Sequence, residues 1–278
     1  MAAALWYHGG MAQGPLVYRH SLTTRITHWV FFIAFLALVS SGLQIFNAAP
    51  YLDASDKSNP SRRVFAIEGN ADRRSGTTTI FGHTISTTGW LGYTDDGMNG
   101  RDVRGFPGWI TIPPYQTLAD GRRWHLFFSW IMVLCGAAYL VAGVLRGDLR
   151  DLILRRVDFP KLIPYQLYYL RLRKDPPPHG TYNSLQKLAY TIVVFVFAPL
   201  IILTGLALSP GIDAIAAPLT SALGGRQFAR LWHFAIMLML ISFVILHVSL
   251  VASTGVINNL RAMFTGWFRL GEHDGTGI

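Results

Sequence analysis

Four of the nine histidines, His28, His125, His233 and His247, fall in or at the edge of long apolar stretches. An ionisable side chain inside a bilayer is costly and as a rule faces a bundle interior for a functional reason. His233 and His247 stand fourteen residues apart in HFAIMLMLISFVILH, roughly 21 Å along a helix axis. Fourteen steps of about 100° bring the second side chain back to within about 40° of the first. One helix therefore shows two imidazoles to one interior. His125 opens another apolar stretch at the depth of His233, and His28 opens the first at the depth of His247. The four sort into two pairs, one per leaflet. Two imidazoles on facing helices can ligate a haem iron from both sides and give an electron-transferring centre. Ligands roughly 21 Å apart cannot share one ion, so a zinc or copper site fits poorly. Interhelical hydrogen bonding or a proton relay is the plainer use of such histidines, and pairing by depth weighs against it.

The elements that must position these residues are membrane helices. The chain has 278 residues, 51% of them hydrophobic and only 14% charged, against about 25% charged in a soluble domain. Apolar runs at about 26–46, 124–145, 185–208 and 228–251 are each long enough to cross a bilayer. The expected fold is all-α, an integral membrane four-helix bundle forming one domain over 1–278, with a long periplasmic loop between helices 1 and 2. No internal repeat stands out, and Pro199 is expected to kink the third span. The net charge of +9 follows membrane topology better than nucleic-acid binding. Residues 146–184 carry Arg146, Arg150, Arg155, Arg156, Lys161, Arg171, Arg173 and Lys174 against four aspartates, whereas 209–227 holds only Arg226 and Asp213. The first of these loops is thereby assigned to the cytoplasm, together with both termini. Residues 47–121 then lie on the outer side of the membrane. Their length, with Trp90 and Trp109, predicts a fold over the bundle or a partner-docking surface. The run Lys161–Lys174 suits either the lipid interface or a solvated connector.

The remaining features narrow the chemistry. A single cysteine, Cys135, excludes an intramolecular disulfide, CxxCH haem attachment and a thiolate cluster, and reads as a small buried side chain. The amino terminus lacks a basic region followed by an apolar core, so the first span is expected to serve as an uncleaved anchor. Gly42, Gly136, Gly143 and Gly205 offer places where a helix or a porphyrin could approach closely. Arg122, Arg123, Arg226 and Arg230 flank the outer ends of spans two and four. They suit haem propionates and lipid headgroups equally well. His8, His20, His83, His179 and His273 lie outside the spans and read as solvated or locally bonded.

The motifs RITHW, GRRWHLFF, NSLQKLAY, the His233–His247 segment and LRAMFTGWFR resemble the bacterial di-haem cytochrome b family. That family includes the cytochrome b subunits of nickel–iron hydrogenases and the gamma subunit of respiratory formate dehydrogenase. SSGLQIFNAAPYL, FPGWITIPPYQTLADGRRWH and LTGLALSPGID resemble more narrowly the thiosulfate-reductase-like cytochrome b subunits of periplasmic molybdopterin oxidoreductases. The resemblance implies two non-covalent haems b, with His125 and His233 on the outer iron and His28 and His247 on the inner one. It further implies quinone beside the inner haem, near Asn183, Gln186 and Lys187, and a periplasmic, molybdopterin-dependent redox partner. The implied role is to relay electrons between that partner and the quinone pool of the inner membrane. A stand-alone di-haem superoxide:quinone oxidoreductase and a haem-free four-helix transporter or sensor are the competing readings.

Overall fold

The computed structural model describes residues 14–70, 72, 74–147, 149–175, 177–178 and 182–270. Strand β1 (Leu16–Tyr18) leads into helix α1 (Leu22–Phe46). Six strands follow: β2 (Tyr51–Asp53), β3 (Arg63–Gly69), β4 (Gly76–Ile80), β5 (His83–Ser86), β6 (Gly92–Asp95) and β7 (Arg101–Arg104). Helix α2 (Leu118–Arg146) is followed by α3 (Leu149–Leu152), α4 (Leu162–Tyr169), α5 (Ser184–Ile192) and α6 (Ala198–Leu208). The chain then forms α7 (Pro210–Ile215), α8 (Ala217–Ala222), α9 (Arg226–Ser253), α10 (Val256–Thr265) and β8 (Trp267–Arg269). His8, His179 and His273 lie outside the described residues.

Four helical stretches, Leu22–Phe46, Leu118–Arg146, Ser184–Leu208 and Arg226–Ser253, are long and apolar enough to span a membrane. Each begins earlier than its apolar run, because hydropathy does not register polar caps. The Ser21 hydroxyl accepts from the Thr24 amide at 3.3 Å, and Thr117 does the same for the Asp120 amide at 3.5 Å. Large apolar side chains face away from the protein, with Leu145 81% and Ile245 62% exposed. Only a hydrocarbon solvent accepts so much apolar surface, and the chain is a multi-pass membrane protein. The disturbance expected at Pro199 takes the form of a π turn. Proline has no N–H to donate, and its ring would strike the carbonyl of Phe195 four residues back. Residues Val193–Phe197 wind more widely, and the Ala198 amide donates to the Val193 carbonyl.

The all-α expectation holds for the bundle and fails for residues 51–104. These form an antiparallel sheet in the order β2-β3-β4-β5 beside the hairpin β6-β7. The signal lay in the short alternating runs RVFAIEG and GTTTI, which pair from Phe65 opposite Ile80 to Gly69 opposite Gly76. Phe46 at the end of α1, Leu52 and Ile67 form a buried core, packed by Phe65, Phe106 and, from α9, Leu231 and Phe234. The sheet is thus seated on the bundle end where α1 stops and α9 starts.

Polar groups complete that junction. Arg104 is 3% exposed. Its guanidinium donates to the carbonyls of Asp96 (2.9 Å) and Pro114 (2.8 Å), to Gln44 Oε1 (3.0 Å) and to Thr111 Oγ1 (3.1 Å). Gln44 Nε2 donates to the Tyr115 carbonyl at 2.8 Å, and Asn47 Oδ1 accepts from the Phe106 amide at 2.6 Å. Burial pulls Arg104 below the usual arginine value, and the nearby carboxylates of Asp95, Asp96 and Asp102 work against that shift.

At the opposite end β1 pairs antiparallel with β8, tying the two ends of the described chain together. Helix α10 tucks under α1, where Trp29 stacks on Phe264 at 4.7 Å and its indole donates to the Met263 carbonyl. The run Lys161–Lys174 folds partly into α4, with Tyr165 turned inward and Ile163 exposed. Burial pushes the Tyr165 hydroxyl up to about 12.

Replacing Arg104 by leucine keeps much of the bulk and takes a donor from four acceptors, two of them on the buried Gln44 and Thr111. The expected cost is about 3 kcal/mol. It should be read as a lower apparent melting temperature and faster proteolysis within 51–104. A variant as resistant as the parent would remove the guanidinium from this role.

Candidate metal centres

His125, near the start of α2, faces His233, near the start of α9, with ring centroids 6.1 Å apart and planes at 63°. His28, in the second turn of α1, faces His247, late in α9, at 6.2 Å and 55°. Two metal–imidazole bonds of about 2 Å, plus about 1 Å from each nitrogen to its ring centre, separate centroids by about 6 Å. Both pairs have the spacing of two imidazoles on one metal. Among the described residues no group of three or more His, Cys, Asp or Glu side chains gathers to hold an ion. Pairs of axial ligands suit a metal whose other positions a macrocycle fills.

The second ring nitrogens show how the 125–233 pair is held. His125 Nδ1 lies 3.1 Å from Ser41 Oγ and 3.2 Å from the Leu38 carbonyl. His233 Nδ1 lies 2.9 Å from Thr204 Oγ1. A carbonyl can only accept, so His125 Nδ1 carries its proton and leaves Nε2 bare, as a metal ligand requires. The glycine after each hydroxyl leaves room for the ring. A Cβ on Gly42 would sit 3.4 Å from His125 Cε1, and one on Gly205 3.3 Å from His233 Cε1. His28 Nδ1 is buried with no hydrogen-bond partner among the described residues.

Sequence reasoning passed over a pattern that this geometry exposes. Ser41-Gly42-Leu43 on α1 serves His125 as Thr204-Gly205-Leu206 on α6 serves His233. The histidines themselves lie in matching blocks, Arg122-Arg123-Trp124-His125 and Arg230-Leu231-Trp232-His233. Two short repeated blocks, read together, would have pointed to two equivalent helix pairs.

Residues 19–266 match the prokaryotic cytochrome b561 family. The chain belongs to that family. A putative protein-methionine-sulfoxide reductase subunit, YedZ1, of Azospira oryzae is 26% identical over 249 residues, which cover 89% of this chain and 96% of that protein. The family agrees with the resemblance carried by the histidine motifs, and makes the chain a membrane haem subunit.

In this cytochrome b561 the other candidate residues are placed as follows. Arg122 is exposed, and Arg123 pairs with Asp120 at 3.0 Å. Arg226 donates to the Leu208 carbonyl at 2.9 Å. Arg230 donates to the Ala49 carbonyl and lies over the rings of Phe46 and Tyr51. Arg123, Arg226 and Arg230 thus have protein partners that compete with a propionate. Cys135 is half-buried and faces the Thr27 carbonyl of α1, a Cβ on Gly136 would sit 3.8 Å from Phe31 Cζ, and Gly143 accommodates Leu149. His83 is exposed on β5. His20 is partly buried, and burial together with Arg19 lowers it to about 4.

The three residues assigned to quinone have other uses. Asn183 Oδ1 accepts from the Gln186 amide at 2.9 Å while Gln186 Oε1 accepts from the Asn183 amide at 3.0 Å. This reciprocal box starts α5. Asn183 Nδ2 donates to the Tyr169 hydroxyl at 2.9 Å, and Lys187 pairs with Asp158 at 3.3 Å. The two amide oxygens serve the helix start, whereas a quinone carbonyl would call on the amide N–H donors. Asn183→Ala should therefore cost about 1 kcal/mol, and Asn183→Asp, which keeps the cap acceptor, much less. Haem reoxidation by added quinone at the parent rate in Asn183→Asp would make the residue a cap alone. Slow reoxidation there, with parent stability, would return the amide to a quinone site.

Proposed function

We propose that the chain holds two haems b and relays electrons across the bacterial inner membrane between the quinone pool and a periplasmic oxidoreductase, molybdopterin-dependent in kind. The observation that carries this reading is the pair of facing imidazole couples set along one helix, at 6.1 and 6.2 Å. His125 and His233 would hold the outer group, His28 and His247 the inner one. When bound, a haem with two imidazole ligands supplies reversible one-electron exchange with no open position for substrate. Substrate chemistry then belongs to the partner.

Orientation follows from the basic 146–184 loop, which belongs in the cytoplasm with both termini. The sheet of residues 51–104 then faces the periplasm above the 125–233 pair. Trp90, Trp109 and Phe81 are 73%, 69% and 77% exposed on the outer segment 47–121. Large aromatics left in solvent suit a docking surface. The Azospira oryzae relative is named as a subunit of a methionine-sulfoxide reductase, which supports a reductase as the partner.

Haem content tests the ligands. His233→Ala should remove the outer haem and His247→Ala the inner one, each taking the pyridine haemochrome reading from about two equivalents to about one. Full haem in both variants would end the assignment. Docking is separable from ligation. Trp90→Ala and Trp109→Ala together should reduce co-purification of a periplasmic redox enzyme from native membranes roughly tenfold or more, with the haem spectrum unchanged. Undiminished recovery would move the interface off this face.

A further inference from the structure

We propose that Ser41 and Thr204 are a matched pair of positioning residues that hold the outer ligands by their back nitrogens and set the electron-donating strength of His125 and His233. The inference rests on the ligand reading above. Ser41 is 0% and Thr204 1% exposed, both within apolar helices. A buried hydroxyl must bond, and serine or threonine that bonds only its own helix is a mild liability compared with alanine. Each has its proton committed backwards. Ser41 Oγ donates to the Ala37 carbonyl at 2.6 Å, and Thr204 Oγ1 to the Leu200 carbonyl at 2.7 Å. What each oxygen turns toward the imidazole is consequently a lone pair, at 3.1 Å from His125 Nδ1 and 2.9 Å from His233 Nδ1.

Two consequences follow for the ligands. The Nδ1–H is anchored on both rings, so both present a bare Nε2 to the space between them. Accepting that hydrogen bond also moves electron density onto the imidazole, which makes it a stronger donor and favours the oxidised metal. The two sites reach this geometry independently, on different helices, with serine in one and threonine in the other. Gly42 and Gly205 directly follow them, where a Cβ would come within 3.4 and 3.3 Å of the rings. A hydroxyl placed only to fill space would not face the same ring atom twice. The 28–247 pair lacks this support on at least one side, since His28 Nδ1 has no partner among the described residues.

The test is a potentiometric titration of both haem α-bands in the purified full-length protein. The variants are Ser41→Ala, Thr204→Val and the double. Ser242→Ala serves as control, because its exposed hydroxyl bonds only the Leu238 carbonyl of its own helix. Losing either hydroxyl should make the outer centre easier to reduce. Its oxidised-to-reduced ratio at a fixed ambient potential should fall about two- to fivefold per site. The inner centre and the control should not move, and Ser41→Thr and Thr204→Ser should restore the parent value. Loss of the outer haem in Ser41→Ala with recovery in Ser41→Thr also supports the assignment. Parent potentials with full haem in the double variant would overturn it, as would haem loss that the conservative exchange does not repair. An outer haem that survives both His125→Ala and His233→Ala would bring down the ligand reading itself, whatever the hydroxyl variants do.

Discussion

A positive charge buried at a membrane boundary holds this protein together. Arg104, at the end of the β6-β7 hairpin, enters a shell of carbonyl oxygens and Gln44, and Gln44 belongs to α1. Gln44 lies three residues beyond Ser41, close to the same helical face. The last turns of α1 from Ser41, with Asn47 just past its end, thus meet His125 on α2 and clamp the β6-β7 hairpin above it. The sheet cannot be displaced without disturbing the helix face that supports an outer ligand. Removing the guanidinium would cost more than its own bonds, since the buried oxygens of Gln44 and Thr111 would each lose a donor.

The bundle was legible because a bilayer imposes strong rules. Length, hydropathy and the 14-residue interval between His233 and His247 were enough to pair the histidines by depth, and the rings do face each other in those pairs. Helix starts were read late, since Ser21 and Thr117 are polar and invisible to an apolar count. The sheet was missed for a different reason. Its strands are short, and alternation over four or five residues such as GTTTI carries little weight until pairing supplies the remaining constraint. Ser41 and Thr204 were hidden because a hydroxyl in an apolar run is usually bonded to its own helix, and here it is that as well.

Asn183 shows the converse. Its type suited both a ligand contact and a helix cap, and its position before an apolar run could not separate them. The reciprocal bonds with Gln186 and the contact with Tyr169 assign its polar atoms to the protein. Lys187 is similar, since Asp158 on the preceding loop takes its charge. Burial raises the Asp158 carboxyl, but the Arg155 amide and the Lys187 ammonium outweigh it and hold the group below the usual carboxylate range. Polar residues at the mouth of a membrane helix first serve the orphaned backbone groups there.

The π turn at Val193–Phe197 has a geometric consequence of its own. Because each α-helical residue advances the face by about 100°, one surplus residue re-phases everything after it. The first half of the third span is thereby indexed to Asp158 and Leu152 through Lys187 and Thr191. The second half is indexed separately to His233 through Thr204. The span works as two helices spliced out of register, so its length cannot be trimmed freely. Deleting one residue from the α-helical turns after the splice would leave the hydropathy almost untouched and rotate Thr204 and Gly205 by about 100° away from His233. Here the azimuth of a membrane helix is an inherited quantity, carried by a single extra residue that composition does not record.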